Sequence, residues 1–423
     1  MLLSKEFFCF IVCSMKMFSQ YKGLPRQMYY LSAVKLIVEI AVSFVFPFVA
    51  LICTERLGFN AVQAAYIVSI TSIGNMIGAL LGGKLADEWG RRKTYIRFAI
   101  AMITCMILAG FVCTHRILLV LIFISNLITS AVIPICSAMV VDLSPEDKRN
   151  ECFSLMYIFS NIGTAVGPLM AGLLFYRHMP VTFFCVAGFY TLSLLIMVFL
   201  IKETYTGHRT DPVIEEGSGK KAESLFAMVF RHPRVLVFIG CMLFVFMSYM
   251  ETSYVLPLQF TEAMGLDIGS KITSAIWSVN GVVVIVLTPT LMLFIKKHRP
   301  LFNLVIGCLL YALGFGLYAL PINPILALVA VAVWTSGEIF VNNQATVYLA
   351  EISPETHRGR VASLYSFTRA LGKLIGPLIS SYILLGFGYS SFWIFIGILL
   401  VVISGVLFLL HRLEPEKSSE LSA

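Results

Sequence analysis

The chain has 423 residues, of which 58% are hydrophobic and only 13% are charged, and its mean hydropathy is +0.88. Soluble domains carry about 25% charged residues, so this composition excludes a soluble protein and favours one that is solvated by lipid. The formal net charge of +8 then requires no nucleic-acid partner, because basic residues collect where loops meet anionic lipid.

The spacing of the apolar stretches predicts an all-α membrane protein. A helix that crosses a bilayer needs about 20 mostly apolar residues, and such stretches recur along the whole chain. They predict a six-helix bundle over 28–201 and a second one over 235–411, with a cytoplasmic segment 1–27, a cytoplasmic linker 202–234 and a cytoplasmic tail 412–423. The twelve predicted spans lie near 28–53, 62–83, 96–114, 117–141, 152–176, 179–201, 235–260, 272–295, 301–320, 322–350, 361–386 and 389–410.

The placement of basic residues predicts the orientation. When the loops are assigned to alternating sides, only Arg56, Arg116, Arg177 and Lys271 lie on the outer side, while 24 of the 31 Lys and Arg lie on the side of the N-terminus. Cytoplasmic loops are enriched in Lys and Arg. We therefore expect a multi-pass protein of a bacterial inner membrane with both termini in the cytoplasm.

The cysteine pattern indicates no metal or cofactor. The ten Cys form no C-x-x-C pair, and most of them lie within apolar spans, so neither a disulfide framework nor a zinc site is predicted. The first twenty residues resemble a signal peptide weakly but have no small-residue cleavage site. They are interpreted as an interfacial segment or as the result of a start codon assigned too early.

The two halves of the chain repeat each other. The segment DLSPEDKRNECFSLMYIFSNIGTAVGPLM (142–170) aligns without a gap with EISPETHRGRVASLYSFTRALGKLIGPLI (351–379), at an offset of 209 residues. The two segments share S-P-E, an Arg, two Gly and a Pro at the same spacing. This repeat predicts two six-helix halves in the same orientation.

A charged loop between the second and third spans carries a family signature. The segment GGKLADEWGRRK (82–93) holds six charged residues in twelve, and Gly83, Asp87, Gly90 and Arg91 follow the order G-x-L-A-D-x-x-G-R-R-K. With twelve spans and repeated halves, the chain resembles the major facilitator superfamily, of the multidrug–proton antiporter type. The resemblance implies two pseudo-symmetric bundles that transport by alternating access.

The same resemblance implies a mechanical role for this loop. Asp87 is expected to lie at the N-terminus of the eleventh span, where the helix dipole and the unpaired N–H groups favour an anion. Arg91 is expected to reach the acid at the end of the fourth span. This contact would hold the outward-facing state, whereas the alternative is a basic loop that only orients the chain. The predicted conformational latch comprises Gly83, Asp87, Gly90, Arg91 and Asp142.

A glycine motif in the fifth span resembles one that is associated with drug–proton antiporters. The run GTAVGPLMAG contains Gly163, Gly167, Pro168 and Gly172, with Ala171 in place of a further glycine. Small residues let membrane helices approach closely, and Pro bends a helix. The alternative interpretation is generic helix packing.

Ionisable residues inside the spans are the candidate transport site, because intramembrane charge is costly and marks function by default. Many proton-coupled members of the family carry an Arg in the fourth span, but Asn126 occupies this stretch, so the coupling acid is expected elsewhere. The context of Glu338 resembles that of bacterial multidrug–proton antiporters, and a static salt bridge of Glu338 with a basic residue of the eleventh span is the alternative. The six residues are Lys35, Glu39, Glu251, Glu338, Arg369 and Lys373.

The predicted function is export of hydrophobic, cationic small molecules in exchange for protons, with Glu338, Glu39 and Glu251 as proton carriers and cation contacts. The alternative is transport of an anion, such as a siderophore, a sugar phosphate or a lipid headgroup, at the three basic residues of the same set. A polytopic membrane enzyme or sensor is a more remote alternative. The expected partners are a small-molecule substrate, protons and the lipid bilayer, for a monomer with no enzymatic activity, cofactor, metal or nucleic acid.

Overall fold

The N-terminal half forms six long helices. The structure is a computed structural model that describes residues 21, 23–174, 178–204, 232–321, 323–353 and 358–413. The first helix continues irregularly through Phe46–Phe48, Val49–Leu51 and Ile52–Arg56, because Pro47 has no N–H to continue the helical hydrogen bonds. The six helices are α1 Arg26–Val45, α2 Ala61–Trp89, α3 Arg91–Phe111, α4 Ile117–Leu143, α5 Arg149–Leu174 and α6 Met179–Leu200.

Glycines divide two long helical segments of the C-terminal half. Pro233–Ile295 contains Gly265 at a φ of 78°, and Arg358–Arg412 contains Gly388 at a φ of 73°. Because glycine adopts such angles without strain, each of the two ends one helix and begins the next. The helices are α7 (233–264), α8 (266–295), α9 Pro300–Leu317, α10 Pro324–Ile352, α11 (358–387) and α12 (389–412).

The expected all-α membrane architecture is confirmed. Ten helical segments in the described ranges are long and apolar enough to cross a membrane, and each of the two that a glycine divides contains two of the predicted spans. The same residues contain no β-strand. The N-terminal segment before residue 21, most of the predicted linker (205–231) and the tail from 414 onward lie outside the described residues.

Contacts group the helices into two compact units. Pro47 lies near the residue at which the chain of α1 passes from the first unit to the second, and Pro168 lies near the corresponding residue of α5. Each proline removes one helical hydrogen bond at its position. The second unit thus combines the predicted outer ends of α1, α2 and α5 with the C-terminal helices. The first unit comprises the described residues of Met1–Val45, Gly74–Gly167 and His178–His208, and the second those of Phe46–Ile73, Pro168–Arg177 and Arg209–Ala423.

In the first unit, α2 packs directly on the backbone of α4. Gly74, Gly78 and Gly82 recur every four residues and therefore lie on one face of α2. A Cβ added to Gly78 or Gly82 would overlap the carbonyl oxygens of Leu127 and Ala131. Such backbone contact between membrane helices requires residues without a side chain.

One packing arrangement occurs in both halves. In the first unit, a Cβ added to Gly163 of α5 would lie 2.7 Å from the carbonyl oxygen of Leu36 on α1. In the second unit, a Cβ added to Gly372 of α11 would lie 3.0 Å from the carbonyl oxygen of Leu243 on α7. The repeated G-x-x-x-G-P motif therefore makes the same kind of close helix contact in each half.

Within the second unit, the predicted outer ends of α1 and α2 are closed against C-terminal helices. The Phe46–Phe48 segment packs on the helical segment Pro233–Ile295. The hydroxyl of Tyr254 on α7 donates to the carbonyl oxygen of Ala61 at 2.6 Å, and the hydroxyls of Tyr66 on α2 and Tyr382 on α11 lie 3.1 Å apart. These contacts join the predicted outer ends of α1 and α2 to C-terminal helices within the second unit.

Candidate functional site

Glu338 lies on α10, where neutral donors from three helices hold its carboxylate. Asn280 of α8 donates from Nδ2 to Oε2 at 2.8 Å, and the Tyr249 hydroxyl of α7 donates to Oε1 at 3.1 Å. Asn342, one turn further along α10, donates to Oε1 at 3.4 Å, and Asn280 also donates to Thr335 Oγ1 at 3.0 Å. Within the described residues, the carboxylate is hydrogen-bonded but has no cation in direct contact.

Among the described residues, the direct contact of Arg369 on α11 with this cluster is a hydrogen bond to Asn342. Its Nη2 donates to Asn342 Oδ1 at 3.2 Å, and its guanidinium lies 4.9 Å from the centre of the Phe246 ring. A direct salt bridge from Glu338 to Arg369, which the sequence left open, is not formed in the described part of the chain. Lys373 lies one turn further along α11 and is half-buried.

Glu251 on α7 is buried in neutral surroundings. Its side chain is only 2% exposed, and its Oε2 accepts a hydrogen bond of 2.7 Å from Ser380 of α11. Gly376 leaves room for the carboxylate, because a Cβ at this position would lie 2.8 Å from Oε1. No cation contacts Glu251 among the residues that the structure describes.

Lys35 and Glu39 form an ion pair on α1, one helical turn apart. Both side chains are half-buried in the first unit, while Glu251, Glu338, Arg369 and Lys373 belong to the second unit. Asn126 on α4 is also half-buried. In this conformation, the charge of Lys35 is compensated by its own helix neighbour.

The signature loop contains one ion pair of the predicted latch. Arg91 at the start of α3 pairs with Asp142 at the end of α4, and both side chains are largely buried. Asp87 is exposed at the end of α2, and its expected contact with the start of α11 stays a prediction. A Cβ on Gly83 would meet no described atom within 4 Å, whereas one on the neighbouring Gly82 would overlap the carbonyl oxygen of Ala131 on α4.

Sequence reasoning missed Glu203, which holds the start of α3. Gly90 has a φ of 87° and begins the turn into α3. Glu203, just beyond α6, accepts hydrogen bonds from the backbone N–H groups of Arg92 at 3.1 Å and Lys93 at 3.3 Å. In return, Arg92 Nη2 donates to the carbonyl oxygen of Val198 near the end of α6 at 2.6 Å. The only sequence signal is an acid that follows the last apolar residues of the sixth span.

The fifth-span motif places small residues against two different helices. A Cβ on Gly167 would lie 2.7 Å from Ser43 Cβ of α1, and one on Gly172 would lie 2.8 Å from Ser274 Cβ of α8. Pro168 lies inside α5 between these contacts. The motif thus serves close packing at both ends, and its association with antiport stays a prediction.

Each acid within the spans has its own set of partners and contacts no other acid among the described residues. No three His, Cys, Asp or Glu side chains in the described ranges come together in a way that could hold a metal ion. Glu39 has a Lys neighbour, whereas Glu251 and Glu338 are bound by neutral groups. This arrangement suits the binding and release of a proton or a cation.

Curated proteins that are similar to the chain include antiport and multidrug resistance proteins. The "Na(+), Li(+), K(+)/H(+) antiporter" of Planococcus maritimus is 24% identical over 388 residues, which cover 86% of this chain and 91% of that protein. The "Multidrug resistance protein MdtG" of Proteus mirabilis is 23% identical over 372 residues, which cover 84% and 88%.

Solved structures share the fold at low sequence identity. The peptide transporter POT in complex with sulfate has a TM-score of 0.76 at 16% identity, with 93% of this chain and 95% of that chain covered. The nucleoside transporter NupG has a TM-score of 0.73 at 14% identity, with 92% and 100% covered. The sequence model of the Major Facilitator Superfamily matches residues 31–377 and 344–423. The chain is therefore a multi-pass membrane transporter that belongs to the Major Facilitator Superfamily.

Proposed function

We propose that this transporter exports hydrophobic, cationic small molecules in exchange for protons, and that Glu338 binds the proton and the cation in turn. The observation that carries the proposal is that Asn280, Tyr249 and Asn342, all neutral, are the groups that hold the Glu338 carboxylate. An ionised group within the membrane needs a partner for its charge. A proton supplies this partner in one half of the cycle, and the cationic group of the substrate supplies it in the other.

The rings beside Glu338 support an organic cation as the substrate. Tyr249 contacts Glu338 through its hydroxyl, and its ring centre lies 6.0 Å from that of Trp334 and 6.3 Å from that of Tyr311. Trp334 and Tyr311 are buried, whereas Tyr249 is half-buried, so Tyr249 is the ring that a substrate can reach. Aromatic faces attract cations and also cover apolar surface.

Glu251 is the second proposed proton carrier. Because it is buried and bound by Ser380 without a cation in contact among the described residues, we expect its carboxyl group to be protonated in this conformation. Ser380 and Gly376 lie on α11 beside Pro377, where the helix lacks a backbone hydrogen bond. Movement of α11 at this point would uncover the acid and release its proton.

An alkali cation is a second candidate substrate. The printed name of the Planococcus maritimus relative describes exchange of sodium, lithium and potassium for protons. The observation that favours this function here is the set of oxygen atoms at this cluster. They are the Glu338 carboxylate, the Tyr249 hydroxyl that contacts it, and the Thr335 hydroxyl, which shares the Asn280 donor with it. Oxygen atoms are the ligands that hard cations prefer. The multidrug relative from Proteus mirabilis favours the organic cation instead.

Transport of an anion at Lys35, Arg369 and Lys373 is the competing hypothesis. Arg369 favours it, because this side chain is exposed and donates to a neutral amide. Lys35 does not favour it, because its charge is already paired with Glu39. Under the anion hypothesis, Arg369→Ala or Lys373→Ala would impair transport most, and Glu338→Gln would leave transport intact or tighten binding.

The test compares Glu338→Gln with the wild type in proteoliposomes under an imposed pH gradient. A lipophilic cationic dye, sodium ions and a lipophilic anion serve as three separate probes. We expect Glu338→Gln to abolish gradient-driven cation transport, and to abolish substrate-evoked proton release in detergent as well. Glu262→Gln is the matched control, because this exposed acid contacts Tyr389 rather than the Glu338 cluster. Equal transport and proton release by wild type and Glu338→Gln would refute the proposal.

A further inference from the structure

A band of aromatic and histidine rings joins the ends of α8, α9 and α12. The ring centres of Phe294 and His298 lie 4.2 Å apart in a stacked arrangement, and those of His298 and Phe302 lie 5.3 Å apart. Phe302 continues the band to His411 at 5.9 Å, and His411 leads to Phe408 at 6.4 Å. We call these five residues, together with Lys296, Lys297 and Arg412, the α8–α9–α12 corner.

The basic turn between α8 and α9 is held in one shape. Asn303 donates from Nδ2 to the carbonyl oxygen of Ile295 at 2.9 Å and to that of His298 at 3.2 Å. Lys296 and Lys297 lie between these two anchors, and both are exposed. Two ammonium groups are therefore presented from a fixed turn rather than from a free loop.

The two histidines of the corner leave hydrogen-bonding capacity unused. His298 Nδ1 lies 3.0 Å from the carbonyl oxygen of Phe294, so Nδ1 is the donor and Nε2 remains available. His411 Nδ1 is buried without a hydrogen-bond partner in the described part of the chain.

The corner combines positive charge with apolar surface at the end of spanning helices. Among the described residues, Lys296, Lys297 and Arg412 form no ion pair, and the Arg412 guanidinium lies 5.2 Å from the Phe408 ring centre. Large apolar side chains lie exposed beside them on the same helix ends. These are Leu293 at 67%, Leu409 at 62% and Leu413 at 70% exposure.

We propose that the α8–α9–α12 corner binds a phospholipid with an anionic headgroup. The phosphate would accept hydrogen bonds from Lys296, Lys297 and Arg412, and its acyl chains would lie along Leu293 and Leu409. Basic pockets between membrane helices bind anionic headgroups in this way. The apolar side chains favour a lipid over a soluble anion, because a soluble anion has no acyl chain that could pack on them. This lipid site is separate from the proposed substrate site at Glu338.

The test is a lipid titration of the purified full-length protein, followed by native mass spectrometry. Phosphatidylglycerol is the anionic probe, phosphatidylcholine the neutral probe and inorganic phosphate the soluble competitor. The variant carries Lys296→Gln, Lys297→Gln and Arg412→Gln. The matched control carries Lys84→Gln, Lys93→Gln and Arg97→Gln, which remove three exposed charges from α2 and α3 in the N-terminal half of the chain.

We expect the wild type and the control to retain a bound phosphatidylglycerol, and the corner variant to bind it on the order of a hundredfold more weakly. Equal binding by the corner variant and the wild type would overturn the proposal, as would an equal loss in the control. Equal binding of phosphatidylcholine would show that charge is not recognised. Displacement by inorganic phosphate at the same concentration as phosphatidylglycerol would assign the corner to a soluble anion and overturn it too.

Discussion

Ser380 of α11 donates a 2.7 Å hydrogen bond to the buried carboxyl group of Glu251 on α7. The same hydroxyl lies 2.9 Å from the carbonyl oxygen of Gly376. The carboxyl group of Glu251 therefore lies beside Gly376 and Pro377 of α11, and Pro377 cannot donate a helical hydrogen bond. This contact joins the acid on α7 to the turn of α11 that contains Pro377, and three of the predictions below depend on it.

Gly376→Ala is expected to destabilise the protein. The added methyl group would lie 2.8 Å from Glu251 Oε1 and 3.1 Å from the carbonyl oxygen of Met247, so α7 and α11 would have to separate. Overpacking of this kind costs about 1–3 kcal/mol. Thermal unfolding in detergent measures the effect. Gly405→Ala on α12 is the control, since its methyl would meet no described atom within 4 Å, and an equal melting temperature for both variants would contradict the close approach.

Ser380→Ala is expected to lower the stability by about 1–2 kcal/mol, because it leaves a buried carboxyl group without its donor. Ser381→Ala is the matched control one residue away. Its hydroxyl donates to the carbonyl oxygen of Leu378 within the same helix, so its loss leaves no acid unpartnered. If Ser381→Ala destabilises the protein as much as Ser380→Ala does, the hydrogen bond between Ser380 and Glu251 makes no particular contribution to stability.

Glu251→Gln is expected to reduce the number of protons released per substrate bound, because a Gln side chain cannot titrate. Substrate affinity is expected to stay within a factor of about three of the wild-type value, because Gln keeps the shape of Glu and can accept the same hydrogen bond. Proton release in weakly buffered detergent and binding of a cationic dye measure the two quantities separately. Unchanged proton release, with Glu338→Gln inactive, would leave Glu338 as the sole carrier among the acids tested. Loss of dye binding would instead place Glu251 at the substrate.

Asp87→Asn is expected to slow transport with little change in the melting temperature. Asp87 is exposed at the end of α2, so its charge contributes little to the packing of the first unit, while the latch hypothesis requires that charge at the start of α11. Transport in proteoliposomes and a spectroscopic measure of the conformational balance test it. Glu88→Gln is the control, because Glu88 is the next residue and forms an ion pair with exposed Lys84. Wild-type transport by Asp87→Asn would remove the latch.

Glu203→Gln is expected to destabilise the start of α3 by about 1 kcal/mol. The carboxylate accepts from two backbone N–H groups, those of Arg92 and Lys93, and an anion at a helix N-terminus gains from the helix dipole. Hydrogen exchange of the first turn of α3 measures the effect locally. Exchange rates in Glu203→Gln that match the wild type would show that Glu203 does not cap this helix.

Several features of the site follow from sequence alone, and others do not. The Lys35–Glu39 pair follows from helical spacing, because residues four apart share a face. The Arg91–Asp142 contact follows from a family motif. In contrast, Glu203 accepts a hydrogen bond from Arg92 of α3, which is 111 residues away in sequence. No local sequence pattern predicts a contact between residues so far apart.

The sequence by itself determined the membrane environment, the positions of the helices, their predicted orientation and the repeat of two halves. These properties depend on the length of apolar runs and on the side to which Lys and Arg fall, and both can be counted along the chain. Only the tertiary structure decided which group meets each buried charge, so that Ser380 rather than a cation meets Glu251, and Asn342 separates Glu338 from Arg369. The reason is that partners on different helices are set by the rotation and depth of each helix in its bundle, which depend on close glycine contacts such as that of Gly376 and not on hydropathy.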